Sequence, residues 1–158
     1  MIYSDFLDDD ELNTYAQSIN SRARALQKSG HITVEILRDR IYASGGKCEW
    51  CTVLIVKQPF EVDHIISLGS GGGNDGDNLA VACPDCNRAK ASKHPARFAQ
   101  ETYARTGNMT SLLQRVLDFY NVEATMQKSL FESADDKPTI IPPDNLTDDP
   151  PPYIWGQG

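Results

Sequence analysis

Four cysteines fall in two pairs of identical spacing, Cys48-Glu49-Trp50-Cys51 and Cys83-Pro84-Asp85-Cys86. A C-x-x-C turn offers two thiolates to one ion, and two such knuckles separated by about 30 residues suit a single tetrahedral zinc. Two disulfides are the alternative. They fit poorly, because the start MIYSDFLDDDEL is acidic and lacks the basic and apolar regions of a signal peptide. The expectation is a cytoplasmic chain with reduced thiols. A redox C-x-x-C would not require two copies. Four thiolates leave no open position for a substrate, so the expected Zn²⁺ is structural, and its binding free energy is folding free energy.

A chain of 158 residues, 40% hydrophobic and 23% charged, is sized for one domain with a real core. No apolar run approaches the ~18–20 residues of a membrane span. The net charge of −7 is unevenly placed. Residues 1–21 carry five acids and no Lys or Arg, and residues 106–158 carry eight acids against three bases. Residues 22–105 carry twelve bases against nine acids, so the middle is mildly basic between acidic ends. Whole-chain charge is therefore a poor guide to what the middle touches.

Apolar periodicity at Leu12, Tyr15, Ala16, Ile19, Ala23 and Leu26 predicts a helix over roughly 9–29, with Gly30 as its stop. Thr33 is a candidate N-cap for a second helix carrying Ile36, Leu37 and Ile41 and ending at Gly45-Gly46. Residues 53–56 and 60–66 read as strands, followed by an irregular Gly-rich loop over 69–77 and a short strand over 79–82. Pro84 suits the first turn of a helix carrying Cys86, Asn87 and Lys90. Helices follow over 95–105 and from Thr110 to about Phe131. From Ser133 the chain is rich in Pro and Asp and reads as disordered. Its Tyr153, Ile154 and Trp155 are stray aromatics or a docking motif for a protein partner. The expected organisation is an N-terminal helix (1–30), a core (31–106), a C-terminal helix (107–132) and a tail (133–158).

Asp63-His64 stands inside the apolar run from Phe60 to Ile66, where an unpaired buried charge is costly. A surface-facing Asp and a satisfied His would account for a lone pair of this kind. The pair is accompanied, however, by Asn78 after the Gly loop and Asn87 after the last cysteine. Glu61-Val62-Asp63-His64-Ile65-Ile66, Gly71-Gly72, Asp77-Asn78-Leu79 and Cys83-Pro84-Asp85-Cys86-Asn87-Arg88-Ala89-Lys90 together resemble the His-Asn-His (HNH) endonuclease family over roughly 31–94. The three family positions are filled by His64, Asn78 and Asn87. Ser67 stands where proline is common, and Thr52 where glycine often follows the first knuckle.

The resemblance implies a small ββα-metal core braced by the four-cysteine zinc site; with the N- and C-terminal helices read from periodicity on either side, the expected fold is α+β. The resemblance further implies metal-dependent cleavage of DNA phosphodiesters. Residue chemistry agrees. His64 suits a general base, since an imidazole pKa near 6.5 leaves much of it neutral. Asp63 and Asn87 offer hard oxygens suited to Mg²⁺ or Mn²⁺. By resemblance Asn78 braces the loop and orients the base; an ordinary Asx cap would look similar locally. Lys90 is a candidate phosphate contact, with Arg88, Lys93 and Arg97 weaker ones. Gly71 to Gly73 would let nucleic acid approach the backbone. His31 and His94 lie outside the pattern, and Trp50 is expected beside the zinc. The rival readings are a non-catalytic zinc module that binds DNA or protein, and an accessory subunit of a phage packaging, restriction or mobile-element system.

Overall fold

The structure, a computed structural model, describes residues 8–124. Asp8 opens helix α1 (Asp9–Ala25) with a capping box: its carboxylate accepts from Glu11 N, and the Glu11 carboxylate accepts from Asp8 N. The helix buries Leu12, Ala16, Ile19 and Ala23, the expected stripe. It stops at Ala25, earlier than expected. Gln27 turns left-handed (φ 55°), and Lys28 N donates back to Ala23 O at 2.9 Å, closing a Schellman motif ahead of Gly30. Helix α2 (Val34–Ala43) starts at Thr33, whose hydroxyl accepts from Ile36 N, and it buries Leu37 and Ile41.

The expected strand over 53–56 is not formed. Only Leu54 pairs, through a single antiparallel bridge to Lys47. The first knuckle uses the neighbouring backbone itself: Cys48 N donates to Val53 O and Ile55 N to Gly46 O, both at 2.9 Å. A tight turn that brings two sulfurs inward leaves no extended ladder. Val53 and Leu54 consequently remain exposed.

Strand β1 (Glu61–His64) pairs antiparallel with β2 (Leu79–Ala82), Glu61 opposite Ala82 and His64 opposite Leu79. Pairing ends before Ile66 because Asn78 takes over the ladder. Ile65 N donates to Asn78 O, Ile66 N donates to Asn78 Oδ1, and Asn78 Nδ2 donates to Ile66 O and Gly73 O. The Gly loop is thereby pinned between two 3-10 turns, Leu68–Ser70 and Gly76–Asn78. Gly72 is required here by close approach, since a Cβ would lie 2.0 Å from Ile66 O.

Helix α3 (Pro84–Lys90) packs on both strands, and α4 (Pro95–Thr106) packs on α5 (Ser111–Phe119). The expected extension of α5 toward Phe131 is not seen within the described residues. Asn121 is left-handed (φ 53°) and Val122 N donates to Leu117 O, again a Schellman stop. Residues 125–131 and the Pro- and Asp-rich tail lie outside the described residues.

So small a sheet has two open edges, and contacts from Tyr15 and Glu49 close both. On β1, Tyr15 of α1 accepts from Val62 N at 2.9 Å and donates to Val62 O at 3.4 Å. On β2, Glu49 N donates to Val81 O and the Glu49 carboxylate accepts from Val81 N, while Arg40 pairs with the same carboxylate. Burial raises the Tyr15 pKa above 10.0, so its neutral form is favoured by folding. That contribution is fully present below pH 10.0 and is lost as pH rises through the folded value. Tyr15→Phe is expected to cost about 1–2 kcal/mol at neutral pH. Denaturant titrations should show this gap narrowing in strong alkali; equal stability of the two proteins at neutral pH would contradict the edge-closing role.

Candidate metal centres and active site

The four cysteine sulfurs all lie within 4.8 Å of one another, and none is in a disulfide. Cys51 Sγ and Cys83 Sγ are 3.8 Å apart. A tetrahedron with Zn–S bonds of about 2.3 Å has edges of roughly 3.8 Å, so the cluster has the dimensions of a zinc site. Without a cation the thiols divide their protons unevenly. Hydrogen bonding from Cys86, above all, pulls Cys48 down to about 5, and the same pairing pushes Cys86 up. Burial pushes Cys51 up to about 11. A divalent cation relieves that conflict, since it holds all four sulfurs as thiolates. Arg105 of α4 reaches Cys86 Sγ at 3.9 Å, a positive charge beside what would be a dianionic centre. Trp50, fully buried, meets Phe98 of α4 edge-on at 5.0 Å. It packs within the core rather than facing solvent.

The knuckle also holds a strained residue. Thr52 N donates to Cys48 O, and Thr52 itself sits at φ 68°, a region that a β-branched residue rarely enters. Glycine adopts it freely, which gives a physical reason for the glycine of the family pattern. Thr52→Gly is therefore expected to stabilise the zinc-loaded protein by about 1 kcal/mol. A lower denaturation midpoint in that variant would contradict the strain.

A second cluster lies between β1 and α3. Strand alternation puts Glu61 and Asp63 on one side of β1, and Asn87 and Lys90 face them from successive turns of α3. Asn87 Nδ2 donates to Glu61 Oε2, and Lys90 Nζ donates to Asp63 Oδ2 at 2.9 Å. This orientation leaves Asn87 Oδ1 without a partner among the described residues. Two carboxylates and an amide oxygen form a hard donor set, which fits Mg²⁺ or Mn²⁺ and is a poor competitor for zinc. Glu61 belongs to the motif quoted from the sequence but has no ligand role in that reading. Its i, i+2 relation to Asp63 was the available signal.

Lys90 does not lie where a phosphate contact would need it. It is 1% exposed, and its ammonium is held by Asp63 and by His64 O at 2.7 Å. A buried ammonium requires such partners, so its role here is to fix the end of β1. The other basic candidates are exposed on the surface: Arg88 pairs with Asp85, and Lys93 and Arg97 with Glu101. Exposed pairs of this kind contribute little and exchange readily.

His64 is 4% exposed, and burial lowers its pKa below the ordinary value, favouring the neutral ring. Its Nε2 lies 3.0 Å from Asn74 Oδ1. Asn74 in turn contacts Asn20 of α1. Sequence reasoning missed both asparagines. The signal at Asn20 was a polar residue on the apolar stripe of α1. His31 is exposed, and His94 caps α4, its Nδ1 accepting from Ala96 N.

Residues 48–93 match the family model for HNH endonuclease, and this stretch takes in both knuckles, β1, β2 and α3. The matched segment lies within an α+β chain, and its four cysteines are positioned to hold a metal ion. Neither a curated protein nor a solved structure matches the chain. Among the described residues no helix is long and apolar enough to cross a membrane.

Proposed function

We propose that this protein is a metal-dependent endonuclease that hydrolyses phosphodiester bonds of DNA. The observation that carries this reading is the cluster between β1 and α3, where Asn87 pairs with Glu61 and Lys90 with Asp63 inside the segment that matches the family model, with His64 next in sequence. Asp63 and Asn87 would hold Mg²⁺ or Mn²⁺, which supplies charge neutralisation at the scissile phosphate and the departing oxygen. His64, kept neutral by burial, accepts a proton from the attacking water. Asn78 holds the strand end that presents His64 through its bonds to Ile66. Lys90 neutralises part of the Asp63 charge and ties α3 to the His64 backbone. Arg88 and Lys93, near the C-terminal end of α3, are the remaining candidates for phosphate contact. Among the described residues no helix offers an evident base-reading face, so low sequence specificity is expected. The zinc of the four cysteines would be a brace that takes no part in this chemistry.

The test is incubation of the purified chain with supercoiled plasmid in Mg²⁺, Mn²⁺ or EDTA. Nicked or linear product should appear with either ion and not with EDTA. His64→Ala should reduce the rate by roughly 10²–10⁴-fold while DNA affinity is retained. Asn87→Ala should move the Mg²⁺ titration to higher concentration, because one oxygen ligand is removed. Plasmid cut as fast by His64→Ala as by the wild type would overturn the mechanism.

A further inference from the structure

A chain of buried amides runs from α1 to the imidazole of His64, and the backbone fixes the direction of every bond in it. At its start, Ile32 N donates to Asn20 Oδ1 and Asn20 Nδ2 donates to Ile32 O, both at 2.8 Å. A flipped Asn20 would set donor against donor and acceptor against acceptor, so its orientation is determined. Asn20 Oδ1 then accepts from Asn74 Nδ2 at 2.9 Å, and Asn74 Nδ2 also points at Gly30 O at 3.4 Å. Turning Asn74 round would place its oxygen against two acceptors in a buried site, a costly arrangement. Asn74 Oδ1 is thereby left facing His64 Nε2 at 3.0 Å. An acceptor there requires Nε2 to carry the hydrogen.

We infer that Asn20 and Asn74 are positioning residues that fix His64 as the Nε2–H tautomer, leaving Nδ1 as the nitrogen that accepts the proton. The functional meaning rests on the endonuclease reading; the tautomer itself does not. When Nδ1 takes a proton from water, the ring becomes an imidazolium, and its Nε2–H donates to Asn74 more strongly because the bond is then charge-assisted. Hydroxide is left as the nucleophile, so the proton is accounted for.

The placement of the relay is specific. Asn20 and Asn74 are 5% and 1% exposed, and Asn20 lies outside the segment that matches the family model. Gly30 permits the close approach, since a Cβ there would lie 2.2 Å from Asn74 O. Asn74 N also donates to Ser29 O at 3.3 Å, so the Gly loop is seated on the turn that follows α1. With Tyr15 on Val62, α1 touches β1 and the loop that faces its last residue. It belongs to the same functional unit as the matched segment rather than standing apart as a separate N-terminal element.

The experiment is a long-range proton–nitrogen correlation on the ¹⁵N-labelled full chain, above the ordinary histidine pKa, without Mg²⁺ or DNA. His64→Gln identifies the His64 signals among those of the three histidines. A protonated and a bare ring nitrogen differ widely in shift, so the tautomer is read directly. The wild type should show Nε2–H. Asn20→Asp keeps an oxygen for Ile32 N and Asn74 Nδ2 and, with its other oxygen protonated so that it donates to Ile32 O, should keep that tautomer. Asn20→Leu, similar in size, removes the oxygen and should give mixed tautomers, with kcat for plasmid falling by about 10-fold or more at unchanged KM. An Nδ1–H wild type, or a folded Asn20→Leu retaining pure Nε2–H, would overturn the inference. If Asn20→Leu does not fold, the wild-type spectrum decides: Nε2–H upholds the inference and Nδ1–H overturns it. An Nε2–H wild type that cuts no plasmid upholds the inference and rejects the endonuclease reading.

Discussion

The convergence of four sulfurs from two knuckles is the constraint on which the rest of the structure depends. β1 and β2 have four residues each, too few to be stable as an isolated pair. The knuckles bracket them: Cys48 and Cys51 precede β1, and Cys83 and Cys86 follow β2 directly and open α3. An ion held by all four therefore ties the sheet, the first knuckle and α3 into one body. Glu49, between the first two cysteines, pairs with Val81 and so couples the ion's position to the outer edge of β2. Placing α3 by this crosslink is what brings Asn87 and Lys90 against Glu61 and Asp63.

Ligand chemistry sorts the two centres. Thiolates are soft donors and favour zinc, whereas two carboxylates and an amide oxygen favour a hard, well-hydrated ion. The sulfur centre is closed by its own four ligands, with Arg105 reaching Cys86 Sγ. The oxygen centre is half-exposed at Glu61, Asp63 and Asn87, with room left for water and phosphate oxygens. One closed site and one open site would suit the proposed phosphodiester chemistry.

Much of this was legible because its signals are local. Cysteine spacing, Pro84 at the start of α3, Thr33 as a cap and the apolar stripe of α1 each depend on a few neighbouring residues. The failures have tertiary causes. Residues 53–56 look like a strand by composition, but the knuckle takes up the backbone groups a ladder would need. Helix ends were misjudged where Gln27 and Asn121, rather than glycine, take the left-handed position of a Schellman motif. Lys90 read as a surface charge because lysine is rarely buried, and only its pairing with Asp63 and His64 O makes burial tolerable. The Asn20–Asn74 contact joins residues 54 apart in sequence, and no local pattern announces it.

The central claim is that one chain sorts two kinds of metal into two sites by donor chemistry. Anomalous diffraction from crystals grown with Zn²⁺ and Mn²⁺, recorded at both absorption edges, tests it most directly. A zinc peak among Cys48, Cys51, Cys83 and Cys86, with a separate manganese peak between Asp63 and Asn87, is the predicted result. Manganese among the thiolates, or no peak at Asp63 and Asn87 at saturating Mn²⁺, would contradict it.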